Sequence, residues 1–112
     1  MASNDLRMTP AFFHLLLSLS RGARHGYALM KEIEERTDGR ISLGPSSLYY
    51  SLGRLEDVGL IEETEGPDAG DEPHEERRRY YALTEAGRSR LEAESEILAG
   101  IVAHARATGV LS

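Results

Sequence analysis

The stretch GPSSLYYSLGRLEDVGLI, residues 44–61, decides the reading of this chain, together with RRRYYALT at residues 77–84. Gly44-Pro45 opens a helix: glycine is tolerated as an N-cap, and proline suits the first helical position, where its missing N–H costs nothing. Leu48, Leu52 and Leu55 recur at i, i+4 and i+7, the spacing of one buried stripe. Val58-Gly59 ends this helix. Residues 60–65 then read as a strand, and 77–83 as a returning strand that opens with three arginines. A helix followed at once by a strand, a loop and a second strand is the sequence form of a winged helix-turn-helix. The expected class is therefore mainly α with a small β-hairpin.

The preceding sequence supplies the other helices. Thr9-Pro10 reads as an N-cap and first helical residue, and Phe12, Phe13, Leu15, Leu16, Leu17 and Leu19 fit a largely buried helix stopped by Gly22. A second helix opens near His25 or Gly26 and runs to about residue 36. Leu29, Met30 and Ile33 share one of its faces, and Lys31, Glu32, Glu34 and Glu35 face water. Asp38-Gly39 signals a turn, and Ile41 with Leu43 reads as a stub of strand. After the returning strand, Thr84 caps a last helix that runs to about residue 108 and stops at Gly109. At 1.5 Å per residue this helix spans ~37 Å, longer than a small body can cover. Its apolar positions, Leu91, Ile97, Leu98, Ile101, Val102 and Ala105, therefore predict a seam with another copy. The expected organisation is a DNA-binding winged helix over residues 1–83 and a dimerisation helix over 84–112.

Composition bounds the function. A chain of 112 residues makes one small core. With no cysteine, disulfides and thiolate metal sites are excluded. No apolar run approaches the ~20 residues of a membrane span, and MASNDLRMTP lacks the apolar centre of a signal peptide. These features predict a soluble cytoplasmic protein without membrane partners. The net charge of −6 speaks against nucleic acid at first sight. Much of that acid lies in one loop, however. Residues 67–76 carry Asp68, Asp71, Glu72, Glu75 and Glu76 with no lysine or arginine, and without those five acids the balance is −1.

Ser46, Ser47, Tyr49, Tyr50, Ser51 and Arg54 lie off the leucine stripe of the third helix. Short hydroxyls and N-terminal amides suit phosphates, and an arginine can reach a guanine edge. An ordinary polar surface helix would hold the same residue types. Arg77, Arg78 and Arg79 stand where a wing returns to the body; alternation sends Arg78 to one face and its neighbours to the other. They suit phosphates or a minor groove, or neutralise the acidic loop before them. His74 with Asp71, Glu75 and Glu76 is a poor metal set, so neither a metal nor any other cofactor is expected. No Ser-His-Asp or paired-carboxylate arrangement suggests an enzyme.

HGYALMKEIEER (25–36), LGPSSLYYSLGRLEDVGLI (43–61) and ERRRYYALTEAGRSRL (76–91) together resemble the PadR family of transcriptional regulators, in its short form with a single terminal helix. The resemblance implies a homodimer joined through the terminal helix, bound to a palindromic site in double-stranded DNA, usually as a repressor. In many members a small-molecule effector releases the DNA. Ser47, Leu48 and Tyr49 match the family's Thr-Leu-Tyr at the recognition helix, and residues 77–81 match the basic end of its wing. Two departures are Pro45-Ser46 for the usual Pro-Gly, and Tyr50 where proline is common. A rival reading, favoured by the acidic loop, is a winged helix that contacts proteins without binding DNA.

Overall fold

The computed structural model describes residues 6–66 and 79–112. The elements run α1 (Pro10–Ser18), a 3-10 turn (Leu19–Arg21), β1 (Arg24–His25), α2 (Gly26–Arg36), α3 (Pro45–Asp57), β2 (Ile61–Thr64), β3 (Tyr80–Leu83) and α4 (Glu85–Ala107). This is the expected winged helix with one addition. The hairpin of β2 and β3 is joined on its other edge by β1, giving an antiparallel sheet of order β1-β3-β2. Arg24 pairs with Tyr81 and His25 with Tyr80, while Ile61 to Thr64 face Leu83 to Tyr80 in turn.

Helix boundaries follow local chemistry. Thr9 Oγ1 accepts from the Phe12 amide at 3.2 Å, and His25 Nδ1 accepts from the Ala28 amide at 3.2 Å, each ring or hydroxyl satisfying a donor orphaned at a helix start. Thr84 Oγ1 does the same for the Gly87 amide at 3.0 Å. The helix α3 closes in a Schellman turn: Leu60 N–H reaches Leu55 O at 3.0 Å, Gly59 N–H reaches Glu56 O at 3.0 Å, and Gly59 takes the left-handed φ of 80°. Residues Ile41 and Leu43, read above as a strand stub, form no strand. The Ile41 amide donates to Thr37 Oγ1 at 3.0 Å, so a side chain local in sequence takes the bond a sheet partner would need.

The core gathers Leu15, Leu16 and Leu19, Leu29 and Ile33, Leu48, Leu52 and Leu55, Leu60 and Ile61, Tyr81 and Leu91. The apolar stripes of α1, α2 and α3 therefore turn to one centre, joined by Leu91 from the start of α4. Leu91 is 5% exposed: the start of α4 packs against α1 and β3, and draws this residue into the chain's own core instead of a seam between copies. Beyond it α4 leaves the body. The Cα radius of gyration is 15.8 Å, where a compact chain of this length would have about 13 Å.

A polar cluster ties α1 to α2. Arg36 Nη2 donates to the buried Ser18 Oγ at 2.7 Å, and its Nη1 to His14 Nδ1 at 3.0 Å. Glu32 holds both Arg36, at 3.8 Å, and Arg24 Nε, at 2.8 Å. Since guanidinium only donates, the His14 ring accepts at Nδ1 in its neutral form. Burial, and then the Arg36 charge, lower the His14 pKa.

These contacts make two outcomes testable. A methyl group at Gly87 would collide with the Leu60 carbonyl oxygen, a backbone atom that cannot swing away. Gly87→Ala should therefore lower stability by about 1–3 kcal/mol despite alanine's better helix propensity, read as a fall in Tm by circular dichroism; an unchanged or raised Tm would refute the close approach. For His14, the folded state resists a proton that the unfolded chain accepts. Its contribution is complete above the ordinary histidine pKa of about 6.5 and is lost as pH falls below it. His14→Gln should flatten the loss of stability in urea titrations below about pH 6.5; an identical pH profile in parent and variant would refute the assignment.

Candidate nucleic-acid interface

The leucines of α3 divide the helix into two sides. With about 100° between successive residues, Ser46, Ser47, Tyr50 and Arg54 fall on the side opposite Leu48, Leu52 and Leu55. Ser46, Ser47 and Tyr50 are exposed, and Arg54 is half-buried. Tyr50 is 67% exposed, near the middle of this outer face. Tyr49, about 100° away, lies at its edge and is 46% exposed. Ser51, grouped with these residues on sequence alone, is turned into the body and buried. No acidic residue occupies the first turn of α3, so the amides of its N-terminus are unopposed by a local carboxylate. Asp57 shares the outer face at the far end of the helix.

Sequence reasoning passed over an exposed aromatic residue on α2. Tyr27, in the first turn of α2, is 60% exposed and lies under the Lys31 ammonium, 5.9 Å from its ring centroid. Its signal was an aromatic residue four positions before a lysine on the polar side of an amphipathic helix. The tyrosines thus divide by place. Tyr27, Tyr49 and Tyr50 are exposed on the helix-turn-helix, and Tyr80 and Tyr81 are buried in the sheet.

On the wing, Arg79 is exposed, and its Nε lies 3.5 Å from Glu63 Oε2 on the neighbouring strand. A hydrogen bond to Tyr81, followed by the Glu63 charge, raises the Arg79 pKa. Burial pushes the Tyr81 hydroxyl up in spite of Arg79, so it stays neutral and can serve as a hydrogen-bond partner. Among the described residues this arginine is thus partly neutralised by Glu63 of β2. Arg77 and Arg78, the acids Asp68, Asp71, Glu72, Glu75 and Glu76, and His74 lie outside the described residues. Among the described residues no cluster of histidine, aspartate and glutamate has the arrangement of a metal site, and no helix is long and apolar enough to cross a membrane.

The far end of α4 carries the other candidate surface. Ile97, Leu98, Ile101 and Val102 are exposed along one side of the helix, Ile101 at 59%. Ala105 is half-buried beneath the closing turn, where its carbonyl accepts from the Val110 and Leu111 amides at 2.9 and 3.2 Å. That turn adds Val110 and Leu111 to the uncovered apolar surface, an extension the helical spacing alone does not reveal.

Comparison with known proteins agrees with this architecture. The model of the transcriptional regulator PadR-like family matches residues 15–93. An uncharacterized 37.1 kDa protein in transposon TN4556 of Streptomyces fradiae is 37% identical over 99 residues, covering 88% of this chain and 24% of that protein. The transcriptional regulator YqjI of Escherichia coli K12 is 36% identical over 78 residues, covering 70% of this chain and 34% of the relative. The chain thus spans only a minor part of the length of these relatives. Among solved structures, a PadR family transcription regulator from Clostridium difficile R20291 superposes with a TM-score of 0.74 at 23% identity, over 89% of this chain and 98% of the other. Bacillus subtilis PadR in complex with operator DNA superposes with a TM-score of 0.62 at 23% identity, over 73% of this chain and 44% of the other. The family match over residues 15–93, borne by the helix-turn-helix, the wing and the start of α4, places this chain in the PadR-like family of transcriptional regulators.

Proposed function

We propose that the chain is a DNA-binding repressor that grips a palindromic operator as a homodimer, with a small-molecule effector releasing it. The observation that carries the reading is the outer face of α3. Ser46, Ser47, Tyr50 and Arg54 stand on the side of the helix opposite its buried leucines, in a chain of a regulator family. Tyr49 at the edge of that face, and Arg77, Arg78 and Arg79 at the wing's return, complete the proposed DNA contacts. The solved complex of Bacillus subtilis PadR with operator DNA supports the same mode of use for this fold. Repression and effector release rest on the family resemblance.

The dimer reading rests on α4. A helix of 23 residues whose outer half is apolar on one side is marginal in water and gains stability by packing. Its counterpart in a second copy offers a self-complementary cover through a two-fold axis, with Ile97, Leu98, Ile101, Val102 and Ala105 in the seam. Two recognition helices related in this way would enter successive major grooves about 34 Å apart. The alternative is a module that contacts protein, favoured by the exposed Glu62, Glu63 and Glu65 on and beside β2.

Selection from a pool of random duplexes decides between the two. The regulator reading expects an enriched two-fold symmetric motif, and an unstructured outcome favours the protein-binding alternative. Given such a motif, Arg54→Ala should cost about 1–3 kcal/mol and relax preference at one position, as loss of a base contact does. Arg78→Ala should weaken all sequences alike and reduce the salt slope by about 1, as loss of a phosphate contact does. Unchanged affinity and slope in both variants would move the interface elsewhere.

Leu98→Asp tests the seam. It would place an unpaired carboxylate among apolar side chains. The expected result is a monomer at micromolar concentration by analytical ultracentrifugation, with operator affinity sharply reduced because each monomer holds one half-site. A variant that stays dimeric, or a monomer that binds the operator like the parent, would refute the coupling of α4 to DNA binding.

A further inference from the structure

Gly26 opens α2 and is buried, yet its backbone takes an ordinary helical conformation that any residue can adopt. Nothing in its own geometry calls for glycine, and glycine is a weaker helix former than alanine. What the position lacks is space. A Cβ there would lie 2.5 Å from Tyr49 Oη, 3.0 Å from Tyr49 Cζ and 3.1 Å from Leu48 Cδ2. At Gly53, inside α3, a Cβ would meet nothing within 4 Å, so close approach is particular to residue 26 and not general to the glycines of this motif. The Tyr49 side chain therefore reaches back from α3 across the elbow of the helix-turn-helix, and its hydroxyl end rests on the Cα of Gly26. The rest of its ring stays in the open at the edge of the outer face of α3, where the residue is 46% exposed.

We propose that Gly26 is a determinant of operator affinity although it makes no contact with DNA: it is a positioning residue that seats Tyr49. The inference rests on the reading of α3 as the DNA-contacting helix. A ring parked against backbone has few orientations left to lose on binding, so the edge it offers to a groove is already in place. The same contact sets how closely the start of α2 approaches α3. An added methyl must push the hydroxyl end away, and because Tyr49 is half in solvent its displacement moves the ring across the outer face. Leu48 Cδ2 in the core, at 3.1 Å, has to give by only a few tenths of an ångström, so the hydroxyl end of Tyr49 takes the larger displacement.

The test compares Gly26→Ala, Tyr49→Phe and the double variant of the full chain. Tyr49→Phe removes the atom nearest the new methyl and leaves ring carbon as the closest approach. For the selected operator, Gly26→Ala should lose about tenfold or more, the size of one lost base contact; Tyr49→Phe sets the reference for loss of the hydroxyl itself, and adding Gly26→Ala to it should cost no more than about threefold further. Binding to random duplex at low salt should be the same in Gly26→Ala and the parent. A parallel readout needs no DNA: the Tyr49 Cζ resonance should shift in Gly26→Ala. Three results overturn the inference. Gly26→Ala binds the operator like the parent; its loss recurs in full on top of Tyr49→Phe; or the Tyr49 resonance does not move. An equal loss in Tyr49→Phe and Gly26→Ala, with no further loss in the double variant, supports positioning and assigns the seated contact to the hydroxyl; losses that multiply in the double variant overturn positioning. A parent that binds neither operator nor random duplex overturns the DNA reading and this inference with it. That outcome is distinct from a parent that binds while the Tyr49 resonance stays fixed, which overturns positioning alone.

Discussion

The structure depends on a small junction where α3 ends, the wing begins and α4 starts. Thr84 is at its centre. Its hydroxyl donates to the Gly59 carbonyl at 2.6 Å and accepts from the Gly87 amide at 3.0 Å, while its own amide donates to the Leu60 carbonyl at 3.1 Å. One residue thus caps α4 and fastens it to the turn that closes α3. Gly87 lets the helix backbone descend onto the same Leu60 carbonyl. The Gly59 and Leu60 carbonyls, just past the end of α3, are thus satisfied at the start of α4 as the chain turns twice in a confined space. Leu60 and Leu55, the apolar pair that accompanies the Schellman turn, meet beneath it in the core. The angle of the wing to α3, and of α4 to both, is set here.

This arrangement explains why a chain of net charge −6 can still offer a local surface of different character. Acid on the described part of the wing is matched partly by Arg79, through Glu63, and acid on α2 is matched by Arg24 and Arg36, through Glu32. The Arg79–Glu63 pair is exposed and stabilises little by itself, and the pairs of Glu32 are partly buried. Their effect is on the field. The outer face of α3 carries hydroxyls, aromatic rings and Arg54 through most of its length, and its acidic residue, Asp57, comes at its last turn.

Where bonding is local, the sequence was legible. Thr9-Pro10, Gly44-Pro45, Val58-Gly59 and Thr84 mark helix ends because capping groups bond within three or four residues of themselves, and each marks its end in the structure. The leucine stripe of α3 is equally plain, because one helix face must meet the core. What escaped was decided by distant partners. The two residues of β1 form a strand only because Tyr80 and Tyr81 lie alongside, and nothing in Arg24-His25 announces it. Ile41 and Leu43 have strand-like composition but no neighbour to pair with, since Thr37 takes the Ile41 amide. Leu91 reads like the other apolar positions of α4, and only the docking of the first turns of that helix separates it from Ile97 onward. In the candidate site, the outward set Ser46, Ser47, Tyr50 and Arg54 was readable from helical period. The same period puts Ser51 next to Leu55 on the buried side and Tyr49 at the edge, positions that a grouping by residue type passes over.

The docking of α4 has a mechanical consequence. Its first turns are locked to the wing and core through Thr84, Gly87 and Leu91, and Arg90 adds a bond from Nη2 to the Leu6 carbonyl at 2.8 Å. Past that anchorage the helix is a free arm. At ~1.5 Å per residue, the stretch beyond Leu91 is about 24 Å long, so a tilt of about 5° at its base moves its tip by about 2 Å. The converse holds as well: whatever grips the tip holds a lever whose short end is the turn closing α3. Small adjustments at the apolar end of the chain are therefore delivered as torque to the helix-turn-helix, with no hinge between to absorb them.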